Sequence, residues 1–113
     1  INFTGDRELN NFIKTNLYQY KNADNNNKIF IEAKSEYNKF ILTKDGKGEV
    51  TNYELNAEIV FLIKPTNKQI KISEKKIMES NADKFEENKY EKSIKQNFAS
   101  SITFKLVQEL IID

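Results

Sequence analysis

From Tyr53 to Ile63 the chain reads Tyr-Glu-Leu-Asn-Ala-Glu-Ile-Val-Phe-Leu-Ile, with an apolar residue at every odd position. Side chains on an extended strand alternate between faces, so a period of two predicts a strand with one buried face and one outward face. Such a strand must be paired, and partners are visible on both sides. Upstream, Ile29, Ile31, Ala33, Ser35 and Tyr37 alternate with Phe30, Glu32, Lys34 and Glu36, and Phe40-Ile41-Leu42 extends this run into a long strand bent near Asn38. Asp45-Gly46-Lys47-Gly48 then predicts a hairpin turn, because Gly supplies the positive φ that tight turns need; the next strand runs from about Glu49 to Lys64. Downstream, a loop at Pro65 to Lys68 closes a second hairpin in which Lys64 pairs with Gln69, Phe61 with Ile72 and Glu58 with Lys75. That register puts Glu74 and Lys76 on the core side, which predicts either a bulge or a strand that outruns the core. Ile77 and Met78, straddling both faces, place a bulge there.

Two stretches change period. Ile1 to Phe3 reads as the end of a short strand, and Thr4-Gly5-Asp6 supplies turn and N-cap chemistry before Arg7-Glu8. Leu9, Phe12, Ile13, Leu17 and Tyr20 follow at spacings of three and four, a helix with one apolar stripe ending near Lys21-Asn22, and Asn22 to Asn27 is a connector. After a polar stretch from Asn81 to Asn88, the residues Tyr90, Ile94, Phe98, Ile102, Leu106 and Leu110 recur every fourth position, widened by Ala99, Val107 and Ile111. This predicts a terminal amphipathic helix of about six turns. The economical packing is an α+β two-layer sandwich in the order β-α-β-β-β-α, with two helices on one face of a mainly antiparallel four-stranded sheet. The strands are long for the size of the chain, so one end of the sheet is expected to extend past the helices.

A length of 113 residues predicts a single domain over the whole chain, and 8 Phe with 5 Tyr supply core bulk without Trp. Lys and Arg number 18 against 17 Asp and Glu, interspersed, for a net charge of +1. No broad electrostatic footprint for nucleic acid exists, and an anionic ligand must be met locally. Cys and His are both absent, which removes thiol nucleophiles, disulfides, thiolate zinc sites and any imidazole-dependent triad. The expectation is no enzyme, no cofactor and no metal. Beginning at Ile1, the chain reads as a trimmed or processed form preceded by a signal or anchor, and no apolar run approaches the roughly 20 residues that span a bilayer.

Candidate chemistry is sparse. Glu86-Glu87 and Glu91 sit at or beside the start of the last helix, where carboxylates favour the helix dipole, and are read that way rather than as an acid/base pair. Asp45-Gly46-Lys47-Gly48 lacks the following helix that would make it a phosphate loop. Lys64, Lys68, Lys71, Lys75 and Lys76 cluster on the second hairpin, with Lys84 and Lys89 in the loop before the last helix. Most such lysines are solvated and protect sheet edges, and part of the set is a candidate anion site. Val60 and Leu62 face away from Ile59, Phe61 and Ile63, so either the helices or a partner must cover that second face.

The order of these elements resembles the lipopolysaccharide-assembly lipoprotein (LptE) family of Gram-negative outer membranes. The resemblance runs from Thr4-Gly5-Asp6 and its helix, through Lys44-Asp45-Gly46 and Tyr53-Glu54-Leu55-Asn56-Ala57-Glu58-Ile59, to Phe98-Ala99, Leu106-Val107 and Leu110. It implies a protein lipid-anchored at the periplasmic side of the outer membrane through an acylated Cys that this chain does not contain. It further implies a partner, the large lipopolysaccharide-export β-barrel, which such a protein plugs, and contact with lipopolysaccharide itself. Basic residues near the first hairpin turn and before the last helix would meet lipid A phosphates. Lys44 matches the first place and Lys84 or Lys89 the second, although Lys binds phosphate as a point charge where Arg binds it bidentately. The alternative reading is a periplasmic or secreted module that captures protein by its exposed sheet edge.

Overall fold

The computed structural model describes residues 1–18, 30–64 and 66–112. Its elements are β1 (Asn2–Thr4), α1 (Arg7–Tyr18), β2 (Phe30–Lys44), β3 (Val50–Lys64), β4 (Lys68–Glu79) and α2 (Lys84–Ile112). The sheet order is β1-β2-β3-β4, with β1 parallel to β2 and the other pairs antiparallel. This is the α+β sandwich that the alternation and the two helical stripes predict. The expected helix end at Lys21-Asn22, Tyr20 in its stripe, the connector from Asn22 to Asn27, and Lys28-Ile29 lie outside the described residues.

The odd positions of β3 face the helices: Leu55, Ala57, Ile59, Phe61 and Ile63 are all buried. Leu9 and Ile13 of α1 and Ile94, Phe98, Ala99, Ile102 and Leu106 of α2 close over them in one core. At roughly 25 cal/mol per Å² of apolar surface removed from water, these side chains dominate the stability of the fold. Among the described residues no helix covers the other side of the sheet. Glu54, Asn56, Glu58, Val60 and Leu62 are half-buried by their neighbours in the sheet alone.

The first hairpin forms as its turn residues dictate. Asp45 Oδ1 accepts the amides of Lys47 and Glu49 at 2.8 and 3.0 Å, and Gly48 takes φ 82°. The ladder passes Asn38 without a change of register; its irregularity comes later, between Ile41 and Lys44, where the strands near their turn. The second hairpin differs from the sequence reading. Ile63 pairs with Lys68 and Phe61 with Ile70, so the turn closes one residue earlier on each strand than predicted. Asn67 enters the left-handed region at φ 58° and takes the turn position that the prediction had given to Lys68. A slip of this size keeps every residue on its face but changes the charge partners. Glu58 meets Lys71 at 3.5 Å and Glu54 meets Lys75 at 3.0 Å, both diagonal neighbours, in place of the Glu58–Lys75 pair.

The bulge expected at Ile77-Met78 is absent, because the β3–β4 ladder is continuous from Ile63↔Lys68 to Asn52↔Glu79. The core instead continues along β4 past its charged positions to Met78. Glu74 pairs with Lys105 of α2 at 2.9 Å, Lys76 is exposed, and Met78 is again fully buried.

α2 is longer than predicted, 29 residues, because it begins at Lys84. Asp83 is the N-cap: its Oδ1 accepts the amides of Phe85 and Glu86 at 3.0 and 3.4 Å. Lys84 and Lys89 are therefore helical residues, not loop residues. Length explains the outline of the molecule, 59 × 24 × 22 Å. Strands of 15 residues reach about 50 Å, whereas the 12-residue α1 covers only about 18 Å of them and α2 about 43 Å. At the far end only the first turns of α2 lie over the sheet.

Candidate binding surface at the distal end

The far end of β2 leaves the shelter of the helices, and every residue from Asn38 to Lys44 is exposed. Phe40 and Ile77 flank Glu54 in one row across the uncovered face and are 49% and 57% exposed. On the opposite face Ile41 is 56% exposed, and Leu42 and Phe85 stand out nearby. Exposed apolar residues thus stand on both faces of the ribbon. In the middle of the uncovered face, Asn56 Oδ1 is shut off from water with no hydrogen-bond partner among the described residues, at a cost of about 1–3 kcal/mol.

The predicted anion ligands gather at this end only in part. Lys44 pairs with Val50, whose carbonyl accepts the Ser80 hydroxyl at 2.6 Å, and Ser80 stands four residues before Lys84. The hairpin tip and the start of α2 are thus neighbours. Lys84 turns to Glu87, 3.4 Å away, whereas Lys44 and Lys89 make no ion pair among the described residues. No two of the three lysines share a partner among the described residues.

Sequence reading missed a denser polar cluster just behind this end. Glu87 and Glu91 were assigned to the helix dipole, and Glu87 does lie in the first turn. Yet Glu91 lies two turns in and faces the sheet. Tyr37 donates to Glu91 Oε2 at 2.6 Å, and Lys39 Nζ sits 2.9 Å from Glu91 Oε1 and 3.9 Å from Glu87 Oε1. Glu87, 3% exposed, also accepts the Asn81 amide at 2.8 Å. One turn further along α2, the buried Lys95 ammonium binds Asp6 at 3.3 Å and Glu8 at 3.2 Å and lies 4.0 Å over the Tyr37 ring. The available signal was the spacing Glu87, Glu91, Lys95, which continues backwards at intervals of four the row of Ala99, Thr103 and Val107 beside the main apolar stripe.

The Asn81 amide, with Lys84 and Lys39, holds the Glu87 carboxyl below the usual carboxylate range against the opposing effect of burial. Burial, the hydrogen bond to Glu91 and the nearby carboxylates push the Tyr37 phenol well up. Because the folded state favours ionised Glu87, its contribution is fully present above its ordinary pKa of 4.5 and is lost as pH falls through the lower folded value. Urea unfolding is therefore expected to show stability falling as pH is lowered below 4.5, with a shallower fall in Glu87→Gln. An identical slope in the variant would show that other carboxylates carry the acid sensitivity.

Among the described residues no cluster of acidic, His or Cys side chains is arranged to hold a metal, and no helix is long and apolar enough to cross a membrane. No protein-family model matches the chain, and no curated protein matches it in sequence. Solved structures do match in fold. Rare lipoprotein B from Shewanella oneidensis aligns with a TM-score of 0.71 at 14% identity, covering 97% of this chain and 92% of that one. A minor lipoprotein from Acinetobacter baumannii aligns with a TM-score of 0.60 at 14% identity, covering 96% and 91%.

Proposed function

We propose that this chain is a non-enzymatic outer-membrane lipoprotein domain that plugs the lipopolysaccharide-export β-barrel and helps deliver lipopolysaccharide to the cell surface. The observation that carries the reading is the fold, which aligns with a bacterial lipoprotein over nearly the full length of both chains. The shape supports it. A rod of 24 × 22 Å cross-section suits the lumen of a large barrel, since barrels of about 22 strands are wide enough to need a plug. Lumen walls are polar, and the uncovered sheet face offers Glu and Lys side chains set between Phe40, Val60, Leu62 and Ile77. The projecting ribbon with Phe40, Ile41 and Leu42 would lead into the barrel, and Lys44, Lys84 and Lys89 would meet anionic groups there as point charges.

Isolating the full, lipidated protein from its own envelope in mild detergent tests this reading. One large, heat-modifiable β-barrel protein is expected to co-purify in near-equal amount. Recovery of the lipoprotein without any barrel would overturn the plug role; recovery with a soluble envelope protein that pairs along β4 would favour capture by the sheet edge, where β4 lies outermost.

A further inference from the structure

The inward stripe of α2 changes character along its length. Leu106, Ile102, Phe98 and Ile94 are buried against the sheet and α1, but before Ile94 the only buried side chain is Glu87, while Phe85 and Tyr90 are 73% and 49% exposed. The helix therefore contributes buried apolar side chains of its own from Ile94 onwards and none in the turns before it. Those turns are seated by charge. From β2, Tyr37 and Lys39 reach Glu91, and Lys39 also reaches Glu87; from the loop, the Asn81 amide reaches Glu87; on the helix itself Lys84 adds a fourth partner. Lys39 in turn rests 4.3 Å over the Tyr53 ring of β3. At the inner boundary Lys95 is tied to Asp6 and Glu8 at the start of α1.

We infer that the first three turns of α2, residues 84 to 93, form a releasable clasp that detaches from the sheet as a unit while the rest of the helix stays seated. The physical reason is the asymmetry of the two kinds of contact. An ion-pair network fails together once one partner is removed, because the remaining buried charges are left uncompensated, whereas apolar packing further along is indifferent to that loss. No glycine or proline interrupts the helix there, so release takes the form of fraying from its N-terminal end: turns without packing are held to the seated helix only by a propagation factor near one, since most helical stability comes from packing. Unwinding would expose Tyr53 and its register partner Met78 beside the already exposed Ile41. The distal end would then change from a covered sheet to an open ribbon with an apolar inner face, a low-stability unit of the kind that moves on binding.

Hydrogen exchange of the folded protein, read by mass spectrometry, decides this without any partner. In the Glu87→Gln/Glu91→Gln double variant at neutral pH, amides of residues 88 to 93 are expected to exchange about tenfold faster or more, while those of residues 98 to 106 and of β3 keep their wild-type protection. Lys39→Gln removes the cation shared by both carboxylates from an exposed strand position and is expected to give the same selective loss if the double variant does not fold. Unchanged protection at residues 88 to 93, or an equal loss along the whole of α2, would overturn the proposal, since either shows that this segment opens only with the entire fold.

Discussion

Replacing Gly5 by alanine is expected to abolish stable folding or to cost about 3 kcal/mol or more, with lost yield and a thermal midpoint far below that of the parent chain. Two independent constraints meet at this residue. Its φ of 103° lies in the region that residues with a Cβ rarely adopt, and an added Cβ would sit 1.9 Å from the carbonyl oxygen of Ser35. Neither neighbour has room to give way. The Ser35 hydroxyl donates to Asn10 Oδ1 at 2.7 Å and accepts the Asp6 amide at 3.0 Å, while Asn10 Nδ2 holds the Thr4 carbonyl at 3.1 Å. Asp6 Oδ2 caps α1 through the Leu9 amide at 2.9 Å and pairs with Lys95. Shifting the turn would break a buried polar cluster that ties β1, α1, β2 and α2 together. An Ala variant with the parent's melting behaviour would refute this account of the crossing.

Truncating Phe61 to alanine is expected to remove about 3–5 kcal/mol, a large share of the 5–15 kcal/mol that typically separates folded from unfolded chains, and to lower the midpoint by about 15 °C. Phe61 is the largest fully buried side chain among the described residues, in the central strand, with Ala33 and Ile70 as register partners. The small Ala33 leaves little to collapse into the vacated volume. Phe104, 56% exposed on α2, is the internal control, and Phe104→Ala is expected to change stability by no more than about 0.5 kcal/mol. Similar losses at both positions, read by urea unfolding with unchanged slope, would mean that the core is not centred on β3.

Particular residues show which parts of the molecule were legible in the sequence. The face of every β3 residue, the first hairpin at Asp45 to Gly48, the stripe of α1 as far as Leu17 and the apolar stripe of α2 all follow from local rules of period and turn chemistry. Position along the chain was less secure where a single residue decides it. Asn67 moved the second turn, and Asp83 began α2 earlier than its first apolar stripe residue suggested. Glu87, Glu91 and Lys95 were hidden because burial of charge depends on partners brought from 48 to 89 positions away, such as Lys39 for Glu87 and Asp6 for Lys95.

Alternation and helical spacing alone thus determined the element order, the two layers and which face of each strand is apolar, because side-chain direction depends only on local backbone geometry. Tertiary structure alone decided the rest: that Gly5 must be glycine, that the charges at the start of α2 seat it on the sheet, and that the far end of β2 is exposed. Each of those depends on what lies across a gap in space, and no local period records it.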